Sequence, residues 1–296
     1  MTMMTAIERL TLPGSGLMLT ADAIGPDDGQ VVLFLHGSGQ TRQSWRKAVA
    51  VAARHGYRAI TIDLRGHGDS GWSPDSHYSV QTFADDLRAV VDAIGTPPIV
   101  VGASLGGLAA MLVAAAHPDS MRALVLVDIT SKVNADGAKD VMGFMGAAAN
   151  GFATLEEASD AVAAYQPHRP RPADNSGLAR NLRLRDGRYY WHWDPAFMAM
   201  GEDSEIQANT PTLLDDAARA LTLPTLLIRG GHSNIVTEES AREFLEMVPH
   251  ADYAHIDGAH HMVAGDANDA FNDAVFAFID RQVSAQMAPP RDEWVR

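Results

Sequence analysis

Ile99-Val100-Val101-Gly102-Ala103-Ser104-Leu105-Gly106 opens as a run of branched apolar residues and closes as a run of small ones. A short apolar run that stops at a glycine reads as a strand buried on both faces. Residues 105–115 are small and apolar all round, as in a buried helix. Gly102 to Gly106 fits G-x-S-x-G between such a strand and such a helix. That geometry forces a tight turn, needs small neighbours so that strand and helix can approach, and leaves the serine oxygen clear of the backbone at a helix N-terminus. Ser104 is therefore a candidate nucleophile; the bland alternative is a plain strand–helix turn rich in small residues.

Working outward, residues 31–35, 57–62, 123–127, 225–228 and 253–256 are further strand-like runs, with weaker ones at 7–12 and 17–23. Residues 80–94 place Val80, Phe83, Ala84, Leu87, Val90, Val91 and Ile94 at helical spacing, and 237–248 and 266–283 are also helix candidates. Strand and helix in alternation predict an α/β fold, a mostly parallel sheet with helices on both faces. Residues 130–216 break the alternation. They are expected to form a helical cap inserted into a core made of residues 1–129 and 217–296.

Composition narrows the function classes. The 296 residues carry 23 Lys+Arg against 37 Asp+Glu, a formal charge of −14, which repels phosphate backbones and argues against a nucleic-acid partner. Cysteine is absent, so disulfides, cysteine nucleophiles and cysteine metal sites are excluded. The longest apolar run, residues 108–116, is under half of the roughly 20 residues a membrane span needs, and residues 1–10 lack a secretory pattern. A soluble, cytoplasmic protein acting on small molecules is expected.

A serine hydroxyl needs a base. His260 and His261 follow the last strand, and the apolar Met262 and Val263 after them favour His261. The order nucleophile, acid, histidine leaves the acid to be found. The loop after residues 225–228 reads Gly230-Gly231-His232-Ser233-Asn234, without a carboxylate. Asp128 directly follows the strand 123–127 and so emerges at the carboxyl edge of the sheet, where open α/β sheets place their sites. It is the favoured acid, with Glu238 and Glu239 as outsiders and a helix-capping role as the alternative. In His36-Gly37-Ser38-Gly39 the glycines let amides point inward, and the N–H groups of Ser38 and Leu105 are the candidate oxyanion donors. Asp63-Leu64-Arg65-Gly66-His67-Gly68-Asp69-Ser70 reads as a structural loop in which Arg65 and Asp69 can pair. Phe144, Tyr165, Trp191 and Trp193 are candidate pocket lining, or equally the cap's own small core. No metal or organic cofactor is implied, because His260 and His261 are adjacent rather than at ligand spacing and the glycine-rich turns lack a phosphate-loop lysine.

Taken together in this order, HGSG, DLRGHGDS, GASLG, Asp128 and AHHM resemble the α/β-hydrolase superfamily from His36 to His261. The resemblance implies an esterase, lactonase, C–C bond hydrolase, amide-type hydrolase or haloperoxidase-like enzyme. Certain lactone and enamide hydrolases of the superfamily place the acid as Asp128 would be placed. Ser104 speaks against the aspartate-nucleophile dehalogenases and epoxide hydrolases. The expected chemistry is cleavage of a carboxylic ester or lactone through an acyl-enzyme. The alternatives are C–C bond or amide hydrolysis on the same residues, where cap arginines such as Arg169 and Arg183 would suit acidic substrates, and a low-turnover ligand-binding protein.

Overall fold

The computed structural model describes residues 6–171, 174–200 and 204–287. Strands β1 (Glu8–Pro13), β2 (Met18–Ile24) and β3 (Val31–Leu35) precede helix α1 (Arg46–Arg54) and β4 (Arg58–Ile62). Then come α2 (Val80–Ile94), β5 (Ile99–Ala103), α3 (Leu105–Ala116) and β6 (Ala123–Val127). After an excursion, β9 (Thr225–Gly230), α8 (Glu238–Met247), β10 (Asp252–Ile256), α9 (Val263–Asp266) and α10 (Asn268–Met287) return to the sheet. The order across the eight strands is β1-β2-β4-β3-β5-β6-β9-β10. The β1–β2 and β2–β4 pairs are antiparallel and every other pair is parallel, so the predicted fold class holds.

Alternation along the strands divides the core in two. Leu33, Leu35, Leu124 and Leu126 face one side with α2, α3 and α8, whereas Val32, Phe34, Val125 and Val127 face the other with α1 and α10. Both faces are covered, which is why these strands read as unbroken apolar runs. Helix α2 is bounded by a Ser79–Thr82 capping box and by Gly95 in the left-handed region. It also buries Asp86, which accepts two 2.6 Å bonds from Arg65. The pairing expected of Arg65 with Asp69 is not made; Asp69 meets Arg42 and Arg183 instead. Asp86→Ala strands a buried guanidinium and is expected to cost about 3–5 kcal/mol, measurable as a lower urea midpoint.

Between β6 and β9 the excursion holds α4 (Ala135–Gly146), α5 (Leu155–Tyr165), α6 (Ser176–Ala179), β7 (Leu182–Arg185), β8 (Arg188–Trp191) and α7 (Ser204–Arg219). It is thus not purely helical as expected. β7 and β8 form a separate antiparallel ribbon, closed by Asp186 and Gly187, both at positive φ, as a two-residue primed turn requires.

Candidate active site

Ser104 sits between β5 and α3 with φ 47° and ψ −118°, a strained conformation for a residue with a side chain. Three glycines permit it. A Cβ on Gly102 would lie 2.7 Å from Gly107 Cα, one on Gly106 2.6 Å from Leu35 Cβ, and one on Gly107 2.5 Å from Ile129 Cγ2. The loop after β3 comes alongside: a Cβ on Gly37 would be 3.1 Å from that of Ser104. Ser38, Ser104 and Leu105 border one cavity. Leu105 begins α3, where an N–H lacks an intrahelical acceptor, and among the described residues neither its amide nor that of Ser38 meets an acceptor.

Asp128 directly follows β6 at φ 51° and is fully buried. Its Oδ1 accepts the Gly230 N–H at 2.9 Å. Its Oδ2 lies 2.7 Å from His261 Nδ1 and also accepts the Ser233 hydroxyl. The loop after β9, which lacks a carboxylate, thus supplies a hydroxyl donor to the one on β6. Glu238 and Glu239 lie in the first turn of α8. His261 and Ser104 line the same cavities; among the described residues no hydrogen bond joins their side chains. His260 is turned away from Asp128 and stacks on His168.

Among the described residues three adjoining spaces border Ser104, the two smaller of them shared with His261. One of about 700 Å³ is apolar, with Leu108, Ile129, Val141, Met142, Phe197 and Leu214 in its wall. None of these was singled out in the sequence, and no motif marks them. A second, of about 230 Å³, contains Ser104, His261, Phe144, Tyr165, Trp191 and Trp193 together. The four aromatic candidates thus border one space with Ser104 and His261. They also pack on one another, Phe144 on Tyr165 at 4.2 Å and Trp191 on Trp193 at 4.9 Å between ring centroids. Among the described residues Arg169 is the one cap arginine that borders this space, and Asp266 neutralises it. Arg171 pairs with Asp160 and Arg183 with Asp69.

Three buried imidazoles tie together the loops after β3 and β4. His36 Nε2 accepts the Leu64 N–H, His67 Nε2 that of Gly39, and His192 Nδ1 that of Gly68. A protonated ring cannot accept these bonds. Burial pushes His36 down to about 4 and His67 to about 3, the latter helped by the neighbouring His36, and holds His192 well below its ordinary value. The unfolded chain therefore binds more protons than the folded one below the ordinary histidine pKa of about 6.5. Stability is fully present above that value and is lost as the pH falls toward 4, by up to about 1.4 kcal/mol per pH unit for each ring. Urea midpoints should drop between about pH 7.5 and pH 5 beyond what the acidic groups alone produce, and His192→Asn should shrink the drop.

Residues 30–267 match the α/β hydrolase fold family. The chain belongs to that family. Among its relatives, the esterase Rv0045c of Mycobacterium tuberculosis is 32% identical over 257 residues, 84% of this chain and 82% of that protein. The sn-1-specific diacylglycerol lipase ABHD11 of Mus musculus is 29% identical over 280 residues, covering 90% and 85%. A solved structure of the M. tuberculosis esterase, reported with its transition-metal inhibition, matches with a TM-score of 0.75 at 30% identity over 94% of this chain and 92% of the other. As an α/β hydrolase with relatives named esterase, lipase and hydrolase, the protein is a hydrolase. No described helix is long and apolar enough to cross a membrane.

Proposed function

We propose that this α/β hydrolase cleaves carboxylic esters, lactones included, that carry an apolar acyl group, with Ser104, His261 and Asp128 as its triad. The observation that carries the reading is the 2.7 Å contact between His261 Nδ1 and the buried Asp128 carboxylate, in a site that His261 shares with Ser104. His261 Nε2 takes the Ser104 proton as Oγ adds to the carbonyl carbon. The new oxyanion rests on the Ser38 and Leu105 amides, and His261 returns the proton to the departing alcohol. Water, deprotonated by the same ring, then adds to the acyl-enzyme, and Ser104 leaves with its proton restored.

The apolar space suits the acyl chain and the aromatic one the alcohol side. Residues 130–216 act as the cap roofing both, over a core of 1–129 and 217–296. Small-molecule substrates in the cytoplasm suit an acidic chain without cysteine. The neutralised Arg169 offers no charge for an acidic substrate, and the Asp128–His261 contact supports turnover rather than mere ligand binding. Two measurements test the proposal. A fluorophosphonate should add its mass to Ser104, and p-nitrophenyl esters of lengthening acyl chain should gain in kcat/KM before they lose it. An unlabelled serine, or no hydrolysis across esters and lactones, rejects it.

A further inference from the structure

A second cluster lies on the far side of the loop that carries His261. His168 comes from the segment between α5 and α6, His260 from the turn after β10, and Asp266 from the end of α9. One donor atom from each lies within 4.8 Å of the other two. The His168 and His260 rings stack at 3.6 Å, and His232 stacks on His260 at 5.3 Å. His260 Nδ1 is buried and has no hydrogen-bond partner among the described residues. A buried ring nitrogen without a partner calls for a ligand, and the triad chemistry uses none of these groups.

We propose that His168, His260 and Asp266 form an inhibitory binding site for a borderline transition-metal dication of the zinc class. Two imidazoles and one carboxylate favour such ions over magnesium or calcium, which prefer all-oxygen sites. They supply three corners of a tetrahedron and leave the fourth to water. Tetrahedral donors with bonds of about 2.1 Å stand about 3.4 Å apart, so the three groups must close by an ångström or so. The two rings now lie nearly parallel, so one must also turn for both in-plane lone pairs to meet at the ion, and His168, the exposed member, has the room to turn and approach. The Arg169 guanidinium now holds Asp266 Oδ1 at 2.6 Å, and Asp266 Oδ2 accepts the backbone N–H of His260 at 3.0 Å. The ion must share that first oxygen with a cation, which weakens its hold.

The consequence follows from chain connectivity. His168 belongs to the cap segment, and Gln166 and Arg169 beside it border the reaction space. His260 immediately precedes His261. A metal bridging the two sides fastens the cap segment to the loop that must present the base, and turnover slows. Only the turnover half of this argument rests on the proposed esterase reading.

The test uses the full chain freed of metal by chelator and dialysis. Zinc chloride is titrated calorimetrically into the wild type, His168→Ala, His260→Ala and Arg169→Ala, with magnesium chloride as the control. One zinc ion per chain is expected. Loss of either histidine should weaken binding by at least the roughly 10-fold that lesser disturbances of metal sites cost. Arg169→Ala should tighten it, and magnesium should give no heat. In parallel, zinc should slow wild-type ester turnover and leave His168→Ala, whose altered side chain is at the surface, largely unaffected. Zinc that binds or inhibits both histidine variants as it does the wild type is seated elsewhere, on His261 for example, and overturns the proposal, as does the absence of stoichiometric binding. A chain that binds zinc as described yet hydrolyses no ester overturns the esterase reading and leaves the metal site standing.

Discussion

Ser104→Ala is expected to reduce hydrolysis of an activated ester by about 10⁴- to 10⁶-fold, with circular dichroism and the thermal midpoint little changed. The size follows from the division of labour. Without Oγ there is no covalent intermediate, and the pocket can only hold an ester for direct attack by water, assisted by the Ser38 and Leu105 amides. The fold should be indifferent, because the Oγ makes no hydrogen bond among the described residues and the three glycines that admit the turn remain. Alanine keeps the strain of φ 47°, so Ser104→Gly, which relieves it, should be the more stable of two inactive variants. Wild-type turnover by Ser104→Ala would remove the nucleophile from the scheme.

Asp128→Asn is expected to cost about 10⁴-fold in kcat, and the local bonding says why an isosteric change should matter so much. Oδ1 is committed to the Gly230 N–H, so the oxygen of an asparagine would settle there. Its amide nitrogen would then face His261 Nδ1. A donor at that place forces Nδ1 to accept, moves the ring proton to Nε2, and leaves no lone pair to receive the Ser104 proton. The measurement is a full kinetic profile: kcat should collapse with KM little altered. An unchanged kcat would mean that another group orients the ring.

Much of this arrangement is legible in the sequence because it is written in contiguous residues. The strand, the small-residue turn and the apolar helix around Ser104 carry their own stereochemistry. Asp128 is readable because it directly follows an unbroken apolar strand and so must reach the sheet edge. His261 was separable from His260 by the apolar residues after it. The β7–β8 ribbon is harder to read, although its Asp186-Gly187 turn is a strong hairpin signal. Leu182-Arg183-Leu184-Arg185 does alternate, but the run is only four residues long and lies in a segment rich in arginine. The wall of the larger cavity was illegible for a different reason. Leu108, Ile129 and Leu214 lie on three separate elements, and which apolar residues border a void rather than fill a core depends on tertiary packing. The histidine and aspartate cluster is hidden likewise, since His168 and His260 become neighbours only through the cap's return to the core.

The register of the sheet carries one more consequence. Ala103 and Val127 are direct partners across β5 and β6, so Ser104 and Asp128 each follow a residue of the same rung in the middle of the sheet, whereas His261 rides on a loop near the β10 edge. Amide protons of those central strands should exchange with deuterium only on global opening, and those around residues 258–262 through smaller fluctuations. Warming should therefore detach the imidazole from its two rigid partners first, and catalysis should fade reversibly several degrees before the cooperative melting transition.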